Sequence, residues 1–185
     1  KKLGEDHPLT SITINDLAGV LESMGRYNEA ETLYRQSLTI SEKKLRPEHP
    51  STSISINNLA GIFSRMGRYE EAETFYRKSL RINETKLGLD HPETSITMNN
   101  LAGVLESLGK YEEAETLYRQ VLSIREKKLG PDHPEISMTM NNLAEVLSRM
   151  GRYEEAESLY RQSLAIRKKK LGEDHPLTSI TINDL

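Results

Sequence analysis

The stretch that decides the fold is residues 129–170, LGPDHPEISMTMNNLAEVLSRMGRYEEAESLYRQSLAIRKKK. It is the last of four consecutive 42-residue units, and 17 of the 42 positions carry the same residue in all four. Self-similarity at a fixed period of this length predicts a repeat architecture in which each unit is one supersecondary element.

The repeat extends over the whole sequence, which we interpret as a single array spanning residues 1–185. Its parts are a partial unit at 1–2, complete units at 3–44, 45–86, 87–128 and 129–170, and a partial unit at 171–185. Residues 1–17 recur letter for letter as residues 169–185. Both ends of the sequence are therefore expected to be cuts through a repeat.

Each unit contains two segments with helical periodicity. In the first segment of the first unit, Ile14, Leu17, Ala18, Leu21 and Met24 follow the i, i+3, i+4 spacing that places apolar residues on one face of a helix. The second segment keeps the same period until the next unit begins. Each unit is thus predicted to be a hairpin of two helices joined by a short Gly-Arg-Tyr turn.

Helix boundaries are also marked in the sequence. The Asp-His-Pro triplet predicts a helix start, with Asp6 as the capping residue in the first unit. Two later units add a glutamate three residues after the aspartate, the spacing of a capping box: Asp90 with Glu93, and Asp132 with Glu135. The glycine of the Gly-Arg-Tyr turn fits the left-handed position just past a helix end.

One hairpin cannot bury its apolar face alone, so neighbouring hairpins are expected to stack on each other. The sequence predicts an all-α fold, a right-handed α-solenoid of stacked antiparallel helix hairpins. Ala18 and Ala30 are expected where the helices of a pair approach closely. Leu17 and Tyr34 are predicted core residues, whose truncation to alanine should cost roughly 2–5 kcal/mol.

Composition and motifs exclude several classes of function. The chain has no cysteine, which excludes disulfides and thiolate chemistry, and its net charge of −3 gives no reason to expect nucleic acid or an anionic membrane as a partner. A phosphate-binding loop, a nucleophile elbow and an HExxH motif are all missing from the sequence. We therefore expect a cytoplasmic, non-enzymatic protein without a cofactor.

The histidines recur once per unit, and each precedes a proline. They are His7, His49, His91, His133 and His175. A metal site needs ligands that converge within about 2.1 Å of one ion, whereas these histidines are expected to lie a whole repeat apart. We interpret them as capping and turn residues and predict no metal site.

The apolar pattern resembles that of a known family. Ile14-x2-Leu17-Ala18-x2-Leu21 followed by Ala30-x3-Tyr34 is similar to the tetratricopeptide signature, whose usual unit has about 34 residues. The longer unit here contains the motifs LGxDHP, NNLA and G-[RK]-Y-x-E-A-E. It looks like the repeat of kinesin light chain and of bacterial proteins built from the same unit. This resemblance covers the whole chain.

The resemblance implies a concave groove that is lined by the first helix of each unit and holds an extended peptide. Carried over by position, the candidate peptide-binding residues are Asn15, Asn57, Asn58, Asn99, Asn100, Asn141, Asn142, Arg65 and Arg149. Acidic residues of the same face, Glu22, Glu106 and Glu145, alternate with the two arginines. A strongly acidic ligand is therefore not expected. The asparagines themselves have two interpretations, ligand contact or fixing the register of stacking.

Three functions remain open at this point. The first is a protein-interaction scaffold whose groove binds a peptide or helix of a partner. The second is a structural spacer or a head-to-tail array that assembles with further copies of itself through its uncapped ends. The third, which the resemblance implies, is a regulatory repeat domain of a larger bacterial protein.

Overall fold

A computed structural model of the chain describes residues 8–171. These residues form eight helices and no strand: α1 (Pro8–Ser23), α2 (Tyr27–Leu45), α3 (Pro50–Arg65), α4 (Tyr69–Lys86), α5 (Pro92–Ser107), α6 (Tyr111–Leu129), α7 (Pro134–Arg149) and α8 (Tyr153–Leu171). The expected cap at Asp6, the histidines His7 and His175, and most of both partial units lie outside this range.

The helices pack in chain order within two compact parts of the chain, residues 1–104 and residues 105–185. Within residues 1–104, α1 packs against α2, α2 against α3, and α3 against α4. Within residues 105–185, α6 packs against α7, and α7 against α8. Each part is therefore built of helices that stack in chain order, and the predicted all-α class is confirmed.

Histidines start the first helices. Nδ1 of His49 accepts a hydrogen bond from the backbone N–H of Ser51 at 3.1 Å, and His133 does the same for Glu135 at 3.3 Å. Each bond satisfies one backbone donor that a helix start leaves without a partner. The interpretation of these histidines as caps is confirmed.

The capping-box prediction for the aspartates is wrong. At α7 the cap position belongs to His133, and the Asp132 carboxylate forms an ion pair with Lys169 of α8 instead. At α5 the backbone N–H of Glu93 likewise donates to Nδ1 of His91, at 3.2 Å. The imidazole reaches the free N–H first because it stands one residue nearer to the helix.

The turn glycines adopt the predicted left-handed conformation, for example Gly25 with φ 73° and Gly67 with φ 74°. Arg46, between α2 and α3, is the one non-glycine residue with positive φ in the described part of the chain. Its φ of 80° and ψ of 151° are close to those of Gly130, which follows α6 with φ 80° and ψ 157°. An arginine therefore occupies backbone that glycine fills in other units.

The core follows the repeat, with one exception at the first helix. Ala18 and Ala30 are fully buried and Tyr34 is 3% exposed, as predicted. Leu17, however, is 51% exposed, whereas its equivalent Leu59 is fully buried in α3. The prediction that Leu17 is a core residue is wrong, because burial at this position requires a helix against that face of α1.

A layer of buried polar side chains also joins the hairpins. Ser11 Oγ lies 2.7 Å from Ser37 Oγ and 2.9 Å from Ser41 Oγ, and Ser37 Oγ lies 3.2 Å from Ser55 Oγ in the next unit of the sequence. Buried hydroxyls that satisfy each other in this way fix the register of stacking.

Candidate functional site

The predicted peptide-binding asparagines all lie on first helices, and all are half-buried. They occupy matching positions in α1, α3, α5 and α7, together with the more exposed Asp16. Arg65 and Arg149 lie near the ends of α3 and α7, and the side chain of each is 60% exposed. The structure therefore places every predicted residue on the expected helices.

The first asparagine of the pair bonds to the neighbouring first helix. Asn15 Nδ2 donates to Ser55 Oγ at 3.3 Å, and Asn57 Oδ1 accepts from Thr97 Oγ1 at 3.2 Å. Both bonds lie within the unit of residues 1–104 and link one repeat to the next. Part of this carboxamide row thus supports the stacking of repeats.

The second asparagine has a different environment. Asn142 hydrogen-bonds the Tyr118 side chain, while no side-chain bond of Asn58 or Asn100 is found in the part of the chain described. A half-buried carboxamide offers two donors and an acceptor. Asn58 and Asn100 thus have capacity left for a ligand, as does Asn99, for which no side-chain bond is found in the described residues either.

An open pocket of about 570 Å³ lies on the first-helix face between the ends of α1 and α3. Its lining residues are Gly19, Glu22, Ser23, Met24, Gly25, Tyr27 and Arg65. Of the predicted residues, the pocket contains Arg65 and leaves out the asparagines. It combines a carboxylate, a guanidinium, a hydroxyl and an aromatic ring at one place.

Glu22 is the best-partnered group of this pocket. Its carboxylate forms an ion pair with the Arg65 guanidinium and accepts a hydrogen bond from the Tyr34 hydroxyl at 3.0 Å. Burial, together with the negative charge of Glu22, raises the pKa of Tyr34 above its ordinary value. The pocket thus contains a closed Tyr34–Glu22–Arg65 network.

Tyrosines of the second helices reach this first-helix face. The Tyr34 hydroxyl would lie 3.6 Å from a Cβ at Gly19, and the Tyr76 hydroxyl 3.5 Å from a Cβ at Gly61. In the fourth repeat a glutamate, Glu145, stands at the glycine position, and the Tyr160 hydroxyl lies 3.4 Å from its Oε2. Burial, with a smaller effect of Glu22, raises the pKa of Tyr76 to about 12.

The corresponding groups in residues 105–185 are paired differently. Arg149 Nε donates to Glu145 Oε1 at 2.9 Å, one turn away on the same helix. Burial and the charge of Glu145 raise the pKa of Glu106, while Arg149 acts in the opposite direction. Glu106 and Arg149 thus hold the repeat positions of Glu22 and Arg65, but Arg149 is paired with Glu145.

Comparison with known sequences and structures identifies the repeat. Two tetratricopeptide-repeat profiles match, one at residues 10–51 and the other at 51–127, 93–169 and 135–185. The chain belongs to the tetratricopeptide-repeat family. Proteins of this family generally mediate protein–protein interaction or scaffolding and are generally non-enzymatic. No curated protein matches the sequence.

Solved structures place the chain with the kinesin-light-chain-like tetratricopeptide repeats. A single-substitution variant of a putative kinesin light chain from Podospora anserina, with nearly identical repeats, is 29% identical, with a TM-score of 0.85 over 97% of this chain and 84% of that one. A second structure of that protein is 30% identical, with a TM-score of 0.84 over 95% and 83%. BtubC (BKLC) from P. vanneervenii is 26% identical, with a TM-score of 0.83 over 95% and 69%.

Other kinds of site find no support in the described residues. No group of three or more histidines and carboxylates there could hold a metal ion. Among helices α1 to α8, none is long and apolar enough to cross a membrane.

The tyrosines are residues of the first-helix face that the sequence pattern did not reveal. The repeat pattern indicates only a core position for Tyr34 and its equivalents, whereas the side chains of Tyr34 and Tyr118 contact Glu22 and Asn142 on the first-helix face. Gly19 and its equivalents in the sequence could have indicated this contact. A glycine on a helix surface leaves room for a side chain from the neighbouring helix.

Proposed function

We propose that this chain is a non-enzymatic protein-interaction scaffold whose first-helix groove binds an extended peptide or a helix of a partner protein. The observation that carries the proposal is the open pocket between α1 and α3, where Glu22, Ser23, Tyr27 and Arg65 converge on one space. Small binding sites combine concave shape with a few convergent polar groups in this way.

The half-buried asparagines of the first helices support the same function. A carboxamide can bond both the N–H and the C=O of an extended backbone without reading its sequence. Asn57 is engaged with Thr97, so we assign it to stacking. We assign backbone contact with the partner to Asn58 and Asn100.

Short random linear peptides displayed on phage and selected against the chain test this function. Peptides that bind should lose affinity when Asn58, Asn100 and Arg65 are replaced by alanine. The melting temperature should fall only by the loss of the Arg65–Glu22 ion pair, because no side-chain bond of Asn58 or Asn100 is found in the described residues. The control is Arg161→Ala, which removes an exposed arginine paired with Glu157 on α8.

Two results would contradict the proposal. One is a selection that yields no binding peptide. The other is a set of binding peptides whose affinity is the same for the triple variant and for the Arg161→Ala control.

One observation favours a second candidate function, self-association. Helix α1 exposes Leu17 and Val20 by 51% and 56%, and Met24, which follows it, is 62% exposed. By contrast Leu59 and Ile62 of α3, against which α2 packs, are fully buried. A helix with the sequence pattern of α2 would cover this face of α1 in the same way. The proposed occupant is a second helix of another copy, and because such a contact does not close on itself, it would generate chains of molecules.

Light scattering over a range of protein concentrations tests self-association. The wild-type mass should rise with concentration, and the double change Leu17→Gln with Val20→Gln should keep the protein monomeric. A wild-type chain that is monomeric up to millimolar concentration would exclude this second function and leave the groove proposal intact.

A further inference from the structure

Glu106 of α5 and Glu22 of α1 hold the same position in two different repeats, but their surroundings differ. Glu22 has two partners, the Arg65 guanidinium and the Tyr34 hydroxyl. Within the described residues, the half-buried carboxylate of Glu106 makes neither a hydrogen bond nor an ion pair. A partly desolvated carboxylate without a partner costs free energy, which a bound cation would recover.

The missing partners of Glu106 are bound elsewhere. Arg149, the equivalent of Arg65, bonds Glu145 on its own helix at 2.9 Å. The side chain of Tyr118, the equivalent of Tyr34, bonds Asn142. The cause is one residue: Glu145 stands where the first three repeats have Gly19, Gly61 and Gly103.

The charges around Glu106 favour a cationic ligand. Two carboxylates, Glu106 and Glu145, interact with each other and with one guanidinium, Arg149. Glu145 is bonded by Arg149 and by the Tyr160 hydroxyl, and neither that hydroxyl nor the Tyr118 side chain adds positive charge. The repulsion between the two carboxylates contributes to raising the pKa of Glu106, after the larger effect of burial. The site therefore has an excess negative charge at the point where Glu106 is only half-covered.

We propose that Glu106 and Glu145 form a subsite of the groove that receives a lysine or arginine side chain of the partner protein. The inference rests on the proposed function. An ammonium or guanidinium group would donate charge-assisted hydrogen bonds to the free Glu106 oxygens and relieve the repulsion from Glu145. The equivalent place around Glu22 is closed to such a side chain, because Arg65 already occupies it.

The test uses the peptides selected on the wild-type chain, labelled with a fluorophore and measured by fluorescence polarisation at low ionic strength. We expect a basic residue at one fixed position of these peptides. Glu106→Gln should weaken their binding about tenfold, the value for one lost charge-assisted hydrogen bond. Glu157→Gln, which changes the net charge equally but lies beside Arg161 on α8, should leave binding unchanged.

A second variant tests the role of Glu145 separately. Glu145→Gly restores the residue of the other repeats and releases Arg149, which should then pair with Glu106 as Arg65 pairs with Glu22. This variant should lose the basic peptides although Glu106 is still present. Melting curves at pH 7 should show that neither Glu106→Gln nor Glu145→Gly lowers stability enough to unfold the groove.

The outcomes separate the subsite from the groove. Selected peptides without a preferred basic residue, or basic peptides that bind wild type and Glu106→Gln equally, overturn the subsite and leave the groove function standing. An equal loss of binding in Glu157→Gln also overturns it, since the effect would then be one of net charge. If no peptide binds the wild-type chain, both proposals fall.

Discussion

At the scale of the residue, Arg46 adopts a backbone conformation that normally requires glycine. Its φ of 80° and ψ of 151° lie in a region that is almost exclusive to glycine and costs roughly 1–3 kcal/mol for other residues. The surrounding bonds hold the conformation in place, because the Arg46 carbonyl accepts from the Thr52 hydroxyl at 2.9 Å and from the His49 N–H at 3.2 Å.

Arg46→Gly is therefore expected to stabilise the chain by about 1 kcal/mol, the strain released less the extra entropy of glycine in the unfolded chain. Urea unfolding followed by circular dichroism measures this difference. The matched reverse change, Gly130→Arg, should destabilise by a similar amount. A lower urea midpoint for Arg46→Gly would contradict the assignment of strain.

At the scale of the element, the tyrosines of the second helices tie each of these helices to the first-helix face. Tyr34, Tyr76 and Tyr118 are at most 4% exposed. Burial is the main cause that raises the pKa of each of the three hydroxyls, and the pKa of Tyr76 reaches about 12. Ionising any of them would place a negative charge in a buried position beside Glu22 or Glu106.

The buried tyrosines predict that the folded state loses stability at alkaline pH. A tyrosine whose folded pKa lies above its unfolded value of about 10 contributes stability that is complete below pH 10. For Tyr76 that contribution is lost as the pH rises from about 10 through about 12. Absorbance at 295 nm should show the buried tyrosines ionising together with the loss of helix.

The control for this prediction is Tyr76→Phe, which removes the buried hydroxyl whose ionisation would destabilise the folded state. Its stability should fall less steeply with pH in this range than that of wild type. Tyrosine ionisation that is complete while the helical signal is unchanged would contradict the prediction.

At the scale of the whole molecule, stacked repeats are stabilised by contacts between neighbours. Within residues 1–104, Leu59 is fully buried between packed helices, while Leu17, at the same repeat position, is 51% exposed. The two leucines thus form a matched pair that differs in tertiary environment and hardly at all in local sequence.

Leu59→Ala is expected to cost roughly 2–5 kcal/mol and Leu17→Ala much less. Hydrogen exchange followed by mass spectrometry should show lost protection in α1 to α4 for Leu59→Ala and nearly unchanged protection in α7 and α8. Equal losses throughout α1 to α8, or equal effects of the two changes, would contradict a molecule held together by neighbouring contacts.

Much of the fold could be predicted because the same helix-forming features recur in every repeat. Helical periodicity, the turn glycines and the prolines at helix starts agree in every unit, so hairpins and their boundaries follow from local chemistry. The predicted capping boxes at Asp90 and Asp132 are wrong for a local reason too: helix-cap preference favours aspartate, but His91 and His133 stand one residue nearer to the helix and accept the N–H instead.

The sequence by itself determined the repeat, the helices and the family of this protein, because these depend on residues close together in the chain. Only the tertiary structure decided which ion pairs the charged residues of the first-helix face form. Glu22 and Glu106 occupy the same repeat position, yet Glu22 is paired with Arg65 while Glu145 holds the corresponding Arg149 away from Glu106. The physical reason is that an ion pair forms with the nearest opposite charge in space. For Glu22 that charge comes from the neighbouring repeat, whereas Arg149 finds Glu145 one turn away on its own helix.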